Sequence, residues 1–208
     1  MSEFSRLFGF RRPEAAMRDI VARPSAIVPL TLSTLAAIAY LTVARPQFVL
    51  TRSESVLALA GMAAGVIVRT VVIAALLTVF AAAVSKARVS FGQVFAVVCY
   101  SRMPGVLFTA LAIVLILMRR ASGLEAGPSF NPLMTNLAVL LDRASTSRFV
   151  YALAGSVDCV FFWELSLMAI GLRAAARISA TAANLGVAAF WVLWAFGYAA
   201  WVQWMAYR

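Results

Sequence analysis

Four ionisable side chains stand inside long apolar runs of this sequence, and their chemistry most needs an explanation. They are two arginines and two carboxylates: Arg69, Arg102, Asp158 and Glu164. A charged side chain at the centre of a bilayer costs roughly 2.5–3.5 kcal/mol on insertion scales. Such residues therefore pair with one another or mark a path for an ion or solute. Their formal charges sum to zero, which favours pairing that locks the structure over a proton- or ion-linked path.

Depth along the apolar runs predicts which residues pair. Counted from one side of the membrane at about 1.5 Å per residue, Arg102 and Glu164 both lie about 12 Å deep. By the same count, Arg69 and Asp158 share a level near the midplane. We therefore predict two intramembrane ion pairs, Arg102–Glu164 and Arg69–Asp158. A cavity reaching the level of Arg69 and Asp158 would favour transport.

Composition excludes most enzyme chemistry. The 208 residues are 63% hydrophobic and only 12% charged, and histidine is absent. A soluble domain would be about a quarter charged, and histidine is the commonest general base and metal ligand. Cys99 and Cys159 form no CxxC motif, and no nucleophile, phosphate-binding or zinc signature is present. We expect no catalytic residue, no metal site, no cofactor and no enzymatic activity.

Five apolar runs are close to the length of about 20 residues with which a helix crosses the hydrocarbon core. They cover about residues 26–44, 56–84, 94–118, 150–172 and 180–206. The sequence therefore predicts an all-α, polytopic membrane protein, with a five-helix transmembrane domain over residues 26–208. Leu137, Leu140 and Leu141, in the one long loop, have helical spacing and predict a helix on the membrane surface.

Residues 1–25 predict a cytoplasmic amphipathic segment that precedes the bundle. Pro13 suits the first turn of a helix and Pro24 ends it, and between them Met17, Ile20 and Val21 fall on one face. The sequence predicts a short interfacial helix, with these aromatic and aliphatic side chains dipping toward the acyl chains: Phe4, Leu7, Phe8 and Phe10.

The distribution of charge predicts orientation and one class of partner. With the N-terminus inside, nine basic residues flank the cytoplasmic ends of the spans and seven flank the outer ends. This bias places the N-terminus in the cytoplasm. The net charge of +10 is scattered over short loops, which favours anionic lipid head groups over nucleic acid. Lys86 is the only lysine among many arginines, and with the abundant alanine this indicates a bacterial inner membrane.

Two further features concern the helices themselves. Gly61 and Gly65 in "GMAAG" form a small-xxx-small face, which suits close packing within one chain or a contact between two copies. Both alternatives are open. Pro104 lies inside the third run, where it removes a backbone hydrogen bond and predicts a kink beside Arg102.

The stretches "SFGQVFAVVCYSRMPGVL" and "DCVFFWELSLMAIGLR" resemble the Yip family, the Ypt/Rab-interacting membrane proteins, in its bacterial branch. The family's Tyr-Ser-x-x-Pro element is matched by Tyr100, Ser101 and Pro104. Its second element, an Asp, a Trp and a Gly-Leu pair, is matched by Asp158, Trp163, Gly171 and Leu172. The resemblance implies five spans and a cytoplasmic N-terminus. Eukaryotic members are linked to small GTPases and vesicle formation, and they associate with one another.

The leading functional hypothesis is a non-enzymatic membrane organiser or adaptor that binds other membrane proteins or lipids. The resemblance supports a scaffold architecture and a tendency to oligomerise. The alternative is a small carrier or channel for an ion, lipid or small solute, which would use the intramembrane charges.

Overall fold

The computed structural model describes residues 12–44, 52–85, 87–123, 133 and 135–205. These residues are helical apart from loops and one isolated β-bridge. The helices, in chain order, are α1 (Pro13–Ala22), α2 (Ile27–Ala44), α3 (Arg52–Val84), α4 (Phe91–Ser101), α5 (Met103–Ala121), α6 (Arg148–Gly155), α7 (Cys159–Ala176) and α8 (Ala180–Met205). A single 3₁₀ turn, Leu137–Leu140, lies between α5 and α6.

Five helical stretches are long and apolar enough to cross a membrane, and α4 and α5 together form one of them. They are Ile27–Ala44, Val56–Val84, Phe91–Ala121, Cys159–Ala176 and Ala180–Met205. The predicted all-α membrane architecture is therefore confirmed. Many large apolar side chains on these helices are exposed, as expected for faces that meet acyl chains.

The third span is interrupted at Arg102, the residue that joins α4 to α5. Pro104 occupies the first turn of α5, where its missing N–H would have no partner in the helix anyway. The interruption falls where the proline predicts a kink.

The fourth apolar run is also interrupted, which corrects the prediction of one continuous helix over residues 150–172. Helix α6 ends at Gly155 and α7 begins at Cys159. Asp158 caps α7, because its Oδ1 accepts hydrogen bonds from the backbone N–H groups of Val160 (2.8 Å) and Phe161 (3.1 Å). Both halves pack against α8, whose Trp191 donates its indole N–H to the carbonyl of Ser156 at 3.1 Å.

A loop segment completes the backbone hydrogen bonding at this interruption. The N–H of Leu137 donates to the carbonyl of Val157 at 3.0 Å, and the N–H of Cys159 donates to the carbonyl of Thr135 at 3.2 Å. Non-helical backbone within a membrane protein needs such internal partners, because acyl chains offer none. The surface helix predicted for this loop is therefore wrong in the described residues: one 3₁₀ turn forms beside the interruption instead.

The main core lies among α3, α4, α7 and α8. Its largest fully buried members include Leu77, Val94 and Leu172. Glycines allow the closest approaches: a Cβ at Gly171 would overlap the side chain of Val97, and a Cβ at Gly186 would overlap the ring of Phe80.

Helix α1 packs against the bundle with the apolar face that the sequence predicts. Met17 and Ile20 are buried in one cluster with residues of α4, α5 and α7, including Tyr100 and Leu167. Glu14 pairs with Arg173 at 3.4 Å on the exposed side. The apolar face thus contacts protein, and Phe4, Leu7, Phe8 and Phe10 lie outside the described residues.

Candidate functional site

Arg69 reaches from α3 to α8, where its guanidinium lies over the ring of Trp194, 4.7 Å from the centroid. Its Nε is buried and has no hydrogen-bond partner among the residues that the structure describes. Stacking on an aromatic face is favourable for a guanidinium, but it leaves the donors in the guanidinium plane free for other acceptors.

The carboxylate of Asp158 accepts hydrogen bonds from backbone N–H groups and from a hydroxyl group. Oδ1 caps α7, and Oδ2 accepts a hydrogen bond from the hydroxyl of Thr135 at 2.6 Å. Within the described residues no direct ion pair joins Asp158 to Arg69, which differs from the predicted pairing. The physical reason is the interruption: as an N-cap, Asp158 meets free backbone N–H groups that a continuous helix would not offer.

Glu164 is the acidic member of a charged cluster that also contains Arg69 and Arg102. Its Oε1 accepts a hydrogen bond from the backbone N–H of Gly105 at 3.1 Å, and a Cβ at Gly105 would overlap that oxygen. The charge of Arg102 acts on Glu164 most strongly and that of Arg69 next. In the part of the chain that the structure describes, neither arginine has a nitrogen within 4.0 Å of a carboxylate oxygen of Glu164, the distance that defines an ion pair.

Arg102 links the third span to α3. It donates a hydrogen bond to the hydroxyl of Thr70 at 3.2 Å, and that buried hydroxyl donates to the carbonyl of Val66 at 2.7 Å. The predicted pair Arg102–Glu164 is thus a longer-range attraction rather than a direct contact. The structure brings Arg69, Arg102 and Glu164 into one electrostatic cluster, whereas Asp158 acts on Glu164 more weakly and serves as a helix cap.

A partly open cavity of about 1060 Å³ lies beside this cluster, where α6 meets α7. Residues of α3, α6, α7, α8 and the loop before α6 line it, and Arg69 and Asp158 are both among them. Arg69 and Asp158 thus line one cavity without pairing, and their common depth in the membrane stays a prediction. Sequence reasoning missed the other polar lining residues, which include Arg143, Arg148, Tyr151 and Tyr198. In the charge count, Arg143 and Arg148 are among the seven basic residues that flank the outer ends of the spans.

The residues of the Yip-like pattern hold α4 against α7. Tyr100 and Ser101 are buried, and the hydroxyl of Ser101 donates to the carbonyl of Val97 at 2.7 Å. Gly171 packs on the side chain of the same Val97. Pro104 begins α5 and Asp158 caps α7, whereas Trp163 is exposed at 40%. The pattern thus consists mainly of helix-packing and helix-end residues.

Gly61 and Gly65 lie on an exposed face of α3, and a Cβ at either position would meet nothing within 4 Å. Among the described residues, therefore, no other part of the chain packs closely on these two positions. A contact between two copies stays a prediction.

The fold and these sites define an integral α-helical membrane protein with five spanning stretches, one of them interrupted at a charged residue. Within the described residues, no group of three or more His, Cys, Asp or Glu side chains could hold a metal ion. The sequence model of the Yip1 domain matches residues 10–202, which is most of the chain. The chain therefore belongs to the Yip1 domain family. No curated protein and no solved structure matches it significantly.

Proposed function

We propose that this protein is a non-enzymatic membrane organiser that binds anionic lipid head groups through the end of the bundle that carries α1. The observation that carries the proposal is that α1 is fixed to the bundle by its buried face, with arginines exposed around it. Arg12, Arg18 and Arg23 are exposed on α1 and at its ends. Held in place, they form a fixed basic surface rather than a loose tail.

The connectivity of the helices supports one common basic end. Because successive spans alternate in direction, the start of α2, the α3–α4 loop and the α7–α8 loop lie at the same end of the bundle. Arg88 and Arg177 are exposed in those two loops. Each basic residue near an anionic membrane surface contributes about 1 kcal/mol of attraction. The proposal places this end at the cytoplasmic face of a bacterial inner membrane.

Lipid enrichment around the purified protein tests the proposal. The full chain would be reconstituted with phosphatidylglycerol and phosphatidylcholine and then excised in native nanodiscs, and its lipids would be quantified by mass spectrometry. The double variant Arg18→Gln with Arg23→Gln is expected to show less phosphatidylglycerol enrichment than the wild type. The matched variant Arg18→Lys with Arg23→Lys keeps both charges and is expected to retain it. Equal enrichment in all three proteins would refute the basic surface.

A carrier is the second candidate, and a specific observation favours it. The cavity reaches Arg69, and the charge of Arg69 acts on Glu164. Helices are interrupted at two places: at Arg102, beside the charged cluster, and at Asp158, beside the cavity. Interrupted helices next to a cavity form the substrate sites of many transporters. Proteoliposomes that take up an anionic solute in a pH-dependent way, and lose this uptake with Glu164→Gln, would support a carrier. Absence of uptake together with lipid enrichment would leave the organiser.

A further inference from the structure

The cavity beside Arg69 has an excess of positive charge on its walls. Arg69, Arg143 and Arg148 line it from three different segments: α3, the loop before α6, and the start of α6. Asp158 is the one acidic residue among the lining residues described, and both of its oxygens already accept hydrogen bonds. Three cations therefore face a partly enclosed space in which the one carboxylate is already engaged.

The arginines present their donors in a geometry suited to an oxyanion. Arg69 stacks on Trp194, and Arg143 lies over the ring of Tyr151 at 5.7 Å from its centroid. A stacked guanidinium is held by its face, so its in-plane N–H groups remain available for a forked contact with a phosphate. The buried Nε of Arg69 has no acceptor within the described residues, and Arg69 lines the cavity, so an oxyanion there would compensate the charge of its guanidinium.

The remaining walls suit an amphiphile. The volume of about 1060 Å³ lies just above the range of about 300–1,000 Å³ typical of small-molecule sites, and it is far more than a bare ion requires. Phe161 and Val202 add apolar lining, and Tyr198 adds a ring with a hydroxyl. Beside the cavity, the 3₁₀ turn exposes Leu137, Val139 and Leu140 on its surface. Apolar surface next to clustered arginines matches a head group attached to acyl chains.

We propose that this cavity binds an anionic phosphate group through Arg69, Arg143 and Arg148. The site is separate from the basic surface around α1, which lies at the opposite end of the bundle. The phosphate can come from an anionic phospholipid or from free phosphate, and the two sources are distinguished by experiment.

Ligand-dependent thermal stability of the delipidated, detergent-purified full chain tests the site. A ligand that binds only the folded protein raises Tm, and the stabilisation grows with the logarithm of 1 + [L]/Kd, where [L] is the free ligand concentration. The probes are short-chain phosphatidylglycerol, short-chain phosphatidylcholine and inorganic phosphate. Phosphatidylglycerol is expected to raise Tm more than phosphatidylcholine. Stabilisation by phosphate that equals that by phosphatidylglycerol would assign the site to free phosphate.

Variants locate the effect in the cavity. Arg143 and Arg148 are exposed, so the double variant Arg143→Gln with Arg148→Gln should fold, and its Tm without ligand checks this. It is expected to weaken phosphatidylglycerol or phosphate binding by about tenfold or more, because two charge-assisted contacts are lost. Arg120→Gln removes an exposed arginine at the end of α5, outside the cavity, which donates a hydrogen bond to the carbonyl of Val43 at 2.6 Å. Its Tm without ligand is checked in the same way, and it should bind the probes as the wild type does. Undiminished binding by the double variant, or no stabilisation by either anionic probe, would overturn the proposal.

Discussion

The two halves of the bundle are built in opposite ways. The half that carries α1 and the α7–α8 loop, here called the frame half, contains most of the main core and the contact of Gly171 with Val97. The other half, here called the cavity half, contains the interruption between α6 and α7, the 3₁₀ turn and the cavity. Arg69 extends into the cavity half from a helix that the frame half holds.

This difference separates stability from binding within one small protein. In the frame half, small residues let helices approach until their side chains interlock, and few polar groups need partners. In the cavity half, backbone and charged groups are satisfied by caps, hydroxyls and aromatic faces, which leaves space between the helices. Substitutions in the frame half should therefore lower the free energy of unfolding more than substitutions in the cavity half do.

The largest expected effect belongs to Gly171→Leu in the frame half. The new side chain would overlap Val97, and overpacking a filled core costs about 1–3 kcal/mol or more. We expect a lower Tm and a smaller monodisperse fraction on size-exclusion chromatography in detergent. Gly61→Leu is the matched control, because its Cβ meets open space. Equal behaviour of the two variants would mean that α4 and α7 do not approach closely at Gly171.

Asp158 in the cavity half should show a smaller effect, of the kind expected for a helix cap. Asp158→Ala removes the acceptor for the N–H groups of Val160 and Phe161 and should cost about 0.5–2 kcal/mol in unfolding free energy. Asp158→Asn keeps an acceptor oxygen and should cost less, as measured by denaturant unfolding in detergent.

A charge swap separates the cap from an ion pair. If Asp158 acted mainly as the partner of Arg69, Arg69→Asp combined with Asp158→Arg would recover stability lost in either single variant. The capping geometry predicts no recovery, because arginine cannot accept hydrogen bonds from the start of α7. Recovery in the double variant would restore the ion-pair interpretation.

The smallest expected effect concerns the loop before α6. The pKa of Asp142 lies below its ordinary value of 3.8, because its carboxylate accepts hydrogen bonds from the N–H of Ala144 and from the hydroxyl of Ser145. Because the pKa of Asp142 is lowered in the folded state, its ionised carboxylate stabilises the folded loop above pH 3.8, and this stabilisation is lost as pH falls through the lowered pKa. Hydrogen exchange at Ala144 should therefore show less protection, relative to the intrinsic rate, at lower pH in the wild type. In Asp142→Ala this pH dependence should be absent.

The number of spans and the kink at Pro104 could be predicted from the sequence because apolar length and proline are local signals. The interruption at residues 156–158 could not, because the run from Val150 to Leu172 is apolar on both sides of it. What stabilises the interruption is distant in the chain: Thr135 on one side and Trp191 on the other.

The charged residues could be found from the sequence, but their partners could not. Depth along straight helices predicted that Arg69 and Asp158 share a level and form an ion pair, whereas the structure shows that both line one cavity without pairing. Arg69 stacks on an aromatic ring, and backbone N–H groups donate to Asp158, and neither alternative has a signature at those positions. Arg143 and Arg148 were missed because loop arginines are common at membrane surfaces.

The contact between Arg69 and Trp194 also has a consequence for membrane insertion, because it joins two helices that are synthesised far apart in time. The ribosome delivers α3 before α8, the helix that carries Trp194, which emerges after the interrupted span that it supports. Until α8 inserts, a guanidinium within the membrane lacks its aromatic partner, and the interruption lacks the indole N–H bonded to Ser156. Insertion of α8 is therefore the step that supplies both partners, and chains truncated before Trp191 should be recognised and degraded by membrane quality control.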